Sequence, residues 1–144
     1  MNLRGETSDV GRVSVKLANN MDLRDAERGL LARDKIRRIE MQGVVDTGAT
    51  HLVIPESVAD QLGLPRTGEM TVRYADHRTA TRPIAEQLDL DVLGRRDVFR
   101  AILEPARDTV LVGAIVLEDL DLLVDCTHQM LKPRDPERTI AEIE

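Results

Sequence analysis

Val44-Val45-Asp46-Thr47-Gly48-Ala49-Thr50 sets one carboxylate at a Thr-Gly bend, and the apolar run Leu52-Val53-Ile54 follows at once. A carboxylate drawn out of water without partners is costly, so an acid between two buried runs needs a compensating reason. Two are open: the side chain caps nearby backbone N–H groups as ordinary turn chemistry, or it is aimed into a reactive cleft. The bare Asp-Thr-Gly does not choose between them, since average composition places it by chance in roughly a few per cent of chains this long. Its surroundings say more: an apolar pair before it, small Ala49 and Thr50 after it, and a helix opening at Pro55.

Upstream of the bend, Val13, Val15 and Leu17 alternate with polar residues as a half-buried strand does, and Asn19-Asn20 ends the run. Met21 to Leu31 reads as a short helix stopped near Gly29, and extended character returns from Lys35 to Val45. Downstream, Pro55 suits the first position of a short helix and Gly63 the position past its end, with Val58, Ala59 and Leu62 on one face.

Thr71–Ala75 and Thr79–Ile84 form a hairpin around Asp76-His77-Arg78, although no Gly or Asn marks its tip. Leu88, Leu90 and Val92 open a second hairpin that turns at Gly94 and returns through Val98 to Leu103. Val110 to Gly113 is a buried apolar run, Ala114 to Leu120 a short helix, and Leu122–Val124 and His128–Leu131 are strands. Short strands and tight turns throughout predict one mainly β, barrel-like domain over residues 1–144. Its core spans about residues 11–132, it carries one or two short helices, and a charged tail follows at 133–144.

Composition narrows the function. The hydrophobic fraction of 42% is almost wholly aliphatic, and one Phe, one Tyr and no Trp leave nothing on which bases would stack. The net charge is −6, and the arginine-rich stretches Arg24–Arg38 and Arg95–Arg100 are broken by acids, which reads as mixed solvated surface and not as a nucleic-acid groove. Cys126 is the only cysteine, so no intrachain disulfide or cysteine-based zinc site is expected, and a reducing compartment suits the chain.

His51, His77 and His128 lie far apart without helical ligand spacing, so neither metal nor cofactor is expected, and the three should sit at the surface or an interface. Ser14 and Ser57 lack a His-Asp context, and Cys126 is expected to pack as a small apolar residue. Leu117 to Leu123 reads as core and not as a membrane-binding face, because Glu118, Asp119 and Asp121 interrupt it. The first residues lack a secretory apolar run, and no stretch approaches the roughly eighteen apolar residues of a membrane span, so a cytoplasmic protein without membrane attachment is expected.

Taken together, Asp46-Thr47-Gly48-Ala49, the apolar strand and helix Val53 to Gly63, the hairpin around Tyr74–Arg78, Leu111-Val112-Gly113 before a helix, and the strand Leu123-Val124-Asp125 resemble the retropepsin-like aspartic peptidases, in particular their short single-domain bacterial and archaeal members. The order and spacing agree over about residues 40–132. Two departures stand together: Thr50 replaces an acid found in viral members, and Ala114 replaces their arginine after the glycine.

The resemblance implies a closed β-barrel and an aspartic endopeptidase, in which two carboxylates share one proton, one activating water and the other hydrogen-bonding the carbonyl oxygen. This chain has one Asp-Thr-Gly, and the nearest second candidate, Asp108-Thr109-Val110, lacks the glycine. The second acid would come from a second copy in a homodimer. By resemblance Asp46, Thr47 and Gly48 form the catalytic loop, Ala49 and Thr50 line the cleft, and Tyr74, Ala75, Asp76 and His77 form a flap over an extended peptide or unfolded protein. Two plainer readings stay open: a turn aspartate in a β domain, and a dimer of the same fold that binds peptides without cutting them.

Overall fold

A computed structural model describes residues 11–128 and 130–144. The first ten residues, on which the expected absence of a secretory run falls, lie outside the described residues, as does Gln129 within the expected last strand.

Six strands close on themselves. β1 (Arg12–Asn19) pairs antiparallel with β2 (Arg38–Val45), and β2 runs parallel to β7 (Val110–Val112). β7 meets β3 (Val53–Pro55) where Leu111 faces Val53, and β3 runs parallel to β6 (Arg95–Glu104). β6 pairs antiparallel with β5 (Thr79–Val92), which returns to β1 from Val15↔Val92 to Asn19↔Leu88. Closure of the ring removes the exposed edges that an open sheet would present. β4 (Arg66–Arg73) extends the sheet from β5, while β8 (Leu122–Asp125) and β9 (Met130–Pro133) form a separate two-stranded ribbon.

The period-two pattern puts the apolar side chains inside. Val15, Leu17, Leu88, Leu90, Val92 and Leu103 are essentially without solvent contact, and Leu117, Leu120 and Leu122 join them as expected. The two expected hairpins turn out to share one strand, because β5 runs for 14 residues with a register shift between Ala85 and Leu88. Gln87 takes a positive φ of 66° at that bulge, which bends β5 from its pairing with β4 toward β1.

Three short helices decorate the barrel, α1 (Asn20–Glu27), α2 (Glu56–Leu62) and α3 (Ala114–Asp119), each in a segment read as helical, so the total of one or two expected for the domain is too low. A 3-10 turn occupies Arg33–Lys35. Helix α1 ends earlier than the reading of 21–31, with Gly29 left-handed at φ 75° after it. Fully buried Asn19 caps it by accepting from the Asp22 N–H at 3.0 Å, and donates its own Nδ2 to the Leu62 carbonyl at 2.9 Å. Buried Asp22 receives the guanidinium of exposed Arg37 in a fork of 2.9 and 3.0 Å, so one arginine of the Arg24–Arg38 stretch is committed to an intrachain pair. Gly63 lies under the same guanidinium with φ 66°, where a Cβ would meet Arg37 Nη1.

The tail is tied down through Asp121. Its carboxylate accepts from Arg134 Nε at 2.6 Å and from the Ile140 N–H at 2.9 Å, while Arg95 donates to the Asp135 and Arg138 carbonyls. Cys126, expected to pack as an apolar residue, is exposed in the turn between β8 and β9, where the ribbon offers no interior to fill. Among the described residues no helix is long and apolar enough to cross a membrane.

Candidate functional site

The position of Asp46 follows from the pairing of β2 with β7. The ladder Gly43↔Val110 to Val45↔Val112 continues one residue further, where the Asp46 N–H donates to the Val112 carbonyl at 3.0 Å. The chain then turns. The Gly48 N–H donates to Asp46 Oδ1 at 2.9 Å and the Ala49 N–H to the Asp46 carbonyl at 3.1 Å, so half-buried Asp46 organises its own bend.

The loop after the bend is held from below. The Ala114 and Ile115 N–H groups at the start of α3 donate to the Ala49 and Thr50 carbonyls at 2.8 and 3.0 Å, and the Ile102 N–H donates to the Leu52 carbonyl at 2.9 Å. Gly113 makes this contact sterically feasible, because a Cβ there would stand 2.5 Å from the His51 oxygen.

Above the loop lies an open groove of about 450 Å³, with Gly48, Ala49, Thr50 and His51 on one side and Met70 to Tyr74 of β4 and its turn on the other. Of the residues expected at the site, Gly48, Ala49, Thr50 and Tyr74 therefore share one surface. Asp46 and Thr47 stand at the bend that leads into it. Ala75, Asp76 and His77 occupy the exposed hairpin tip beyond the lining. There the His77 N–H donates to the Tyr74 carbonyl at 2.9 Å and His77 takes φ 69°, which supplies the turn geometry that no glycine announced. Asp76 pairs with Arg78 at 2.6 Å, and that guanidinium holds its carboxyl below the ordinary range.

Other lining residues carried no motif. Leu111 and Val53 face the groove because they alternate with buried Val110, Val112 and Ile54, a signal legible in the period. Glu104 and Arg107 gave none. The Tyr74 hydroxyl donates to Glu104 Oε2 at 2.6 Å, and Arg82 Nε reaches Glu104 Oε1 at 3.0 Å and the Tyr74 oxygen at 3.1 Å. This triad pins the base of the hairpin to the end of β6. The Arg82 guanidinium is held above its ordinary range, chiefly by the hydrogen bond to Tyr74.

A pair of acids lies outside the groove. Asp119, at the solvent-exposed end of α3, is pushed up to about 6 chiefly by hydrogen bonding to Asp97 of β6 and then by partial desolvation beside it, while the same bond lowers Asp97. Among the described residues no three His, Cys, Asp or Glu side chains gather as a metal site requires.

A closed six-strand barrel whose Asp-Thr-Gly bend rests on a glycine-led helix and faces a hairpin across a groove defines the retropepsin-like class of aspartic peptidases, a class of hydrolases. The chain belongs to the family described as "gag-polyprotein putative aspartyl protease", which matches residues 34–119.

Among solved structures, the foamy viral protease–reverse transcriptase in complex with an RNA/DNA hybrid is 26% identical at a TM-score of 0.46, over 54% of this chain and 10% of that one. This chain thus corresponds to about a tenth of that protein's length. The protease of simian foamy virus (mac), a solution structure, is 14% identical at a TM-score of 0.47, over 74% of this chain and 90% of that one. No curated protein matches.

Proposed function

We propose that the chain, folded as one domain, is an endopeptidase that works as a homodimer, two Asp46 side chains meeting at the two-fold axis. One carboxylate, ionised, takes a proton from a water that attacks the peptide carbonyl. The other, protonated, donates a hydrogen bond to the carbonyl oxygen. As the tetrahedral adduct collapses, the C–N bond breaks and the leaving nitrogen takes the proton the first carboxylate had accepted, giving a carboxylic acid and an amine. Such a site needs no cofactor. A residue beside a two-fold axis meets its own copy, which answers the need for a second acid in a chain with one Asp-Thr-Gly.

The observation that carries this reading is the built bend: Asp46 organises its turn through the Gly48 N–H while α3 fixes the following main chain at the mouth of a groove. Reacting groups held in place before substrate arrives are what catalysis by positioning requires. Thr47 would tie the two loops together, and Ala49 and Thr50 would flank the substrate. The substrate is an extended segment of peptide or unfolded protein lying under the Tyr74–His77 hairpin, paired by its main chain and sealed from water as the hairpin closes. The single cysteine is in keeping with a cytoplasmic setting.

The test is incubation with an unfolded protein from mildly acidic to neutral pH, comparing wild type, Asp46→Asn and wild type with a statine-type inhibitor. Cleavage by wild type alone is expected. Equal cleavage by both proteins points to a contaminating protease and defeats the reading, and binding by both without cleavage leaves a peptide-binding module.

A further inference from the structure

The groove holds two guanidinium groups that lack acid partners. Arg73, at the end of β4, and Arg107, in the segment between β6 and β7, both line it, and neither forms an ion pair among the described residues. Arg107 donates Nε to the Thr109 carbonyl at 2.8 Å, which fixes the plane of the group and leaves the donors of both terminal nitrogens. Arg107 is half-buried, and that burial pulls its guanidinium below the ordinary range against the opposing fields of Glu104, Asp108 and Asp46.

None of those acids forms an ion pair with it among the described residues. Glu104 is engaged by Tyr74 and Arg82, and Asp46 accepts from the Gly48 N–H. A partly dehydrated, oriented guanidinium without a counter-ion is a receptor for a planar anion, and a carboxylate matches its fork. The surroundings sharpen the point, because a chain of net charge −6 repels acidic polypeptides at a distance. Only a local cationic patch reverses that.

We infer that the groove selects polypeptide segments with an Asp or Glu side chain within a few residues of the bond to be cut, Arg107 receiving the carboxylate in a forked pair and Arg73 adding attraction from the hairpin side. This rests on the peptidase reading and gives it a substrate class. In a two-fold assembly each side of the scissile bond meets one such pair, so an acid on either side is accepted.

The experiment uses quenched fluorogenic peptides with one apolar centre and Glu, Gln or Lys at the flanking positions. Wild type should cleave the Glu peptide with a kcat/KM about tenfold above the Gln peptide, an advantage that shrinks as salt rises. Arg107→Met should bring the two within about twofold, Arg107→Lys should keep part of the preference, and Arg107→Glu should turn it toward Lys. Equilibrium binding of the same peptides to the Asp46→Asn protein, read by fluorescence anisotropy, follows recognition without chemistry. Equal cleavage of Glu and Gln peptides by wild type overturns the inference while the peptidase stands. Selective binding of the Glu peptide with no cleavage of any peptide keeps the selectivity and overturns hydrolysis, and neither cleavage nor selective binding overturns both.

Discussion

A Cβ on Gly113 would stand 2.8 Å from the Ala49 carbonyl oxygen, so the residue that opens α3 presses on main chain three positions past Asp46. Nothing there yields cheaply, since the other near atoms, the His51 oxygen and the Thr50 carbonyl carbon, are also backbone. Gly113→Ala should therefore push the loop that follows Asp46 off α3, at a cost of about 1–3 kcal/mol in chemical denaturation. Because a small displacement of a reacting group is expensive, kcat should fall on the order of a hundredfold. A wild-type rate in the variant would show that the contact does not set the geometry of the loop.

Tyr74→Phe removes the hydroxyl from the triad with Glu104 and Arg82 but leaves the ion pair between those two at 3.0 Å. About 1 kcal/mol of stability should be lost. If the hairpin closes over substrate, KM should rise more than kcat falls, and amide exchange should quicken at residues 74–78. Unchanged exchange there would mean that the triad does not restrain the hairpin.

Asp119 and Asp97 make a pH signature apart from the groove. The Asp119 carboxyl is raised in the folded protein from 3.8 to about 6, so its contribution is present below about pH 4 and is lost as pH rises through about 6. Asp97 is lowered, so its contribution is present above its unfolded value and is lost as pH falls through the depressed one. Between about pH 4 and 6 the folded pair holds more protons than the unfolded chain, and melting temperature should decline on this account. Asp119→Asn should flatten that decline and, because the site is exposed and screened, add about 1 kcal/mol at neutral pH. An unaltered slope in the variant would place the titration elsewhere.

What the sequence disclosed and what it hid divide along the range of the interactions. The alternation of Val13, Val15 and Leu17, of Leu88, Leu90 and Val92, and of Val110 and Val112 is local, and those strands and their inward faces were legible. Closure of the barrel was not written locally, since Val15 meets Val92 through a contact that no short window contains. Gln87 and His77 take positive φ without the glycine or asparagine that normally announces it, which hid the bulge and left the hairpin tip weakly marked. Asp46 to Thr50 stood out as a motif, whereas Arg107 and Glu104 belong to no pattern and reach the groove only because β6 ends and β7 begins beside it.

In the proposed enzyme the active site is shared, one Asp46 from each of two chains. Mixing wild type with Asp46→Asn under conditions of free subunit exchange tests it most directly. At equal amounts, random pairing leaves about a quarter of dimers with two intact acids, so turnover per total dimer should fall to about a quarter of the all-wild-type value and, as the mutant share grows, follow the square of the wild-type fraction. Activity that falls in simple proportion, to about half at equal mixing, would mean that each chain carries a complete site, and the shared carboxylate pair would be wrong.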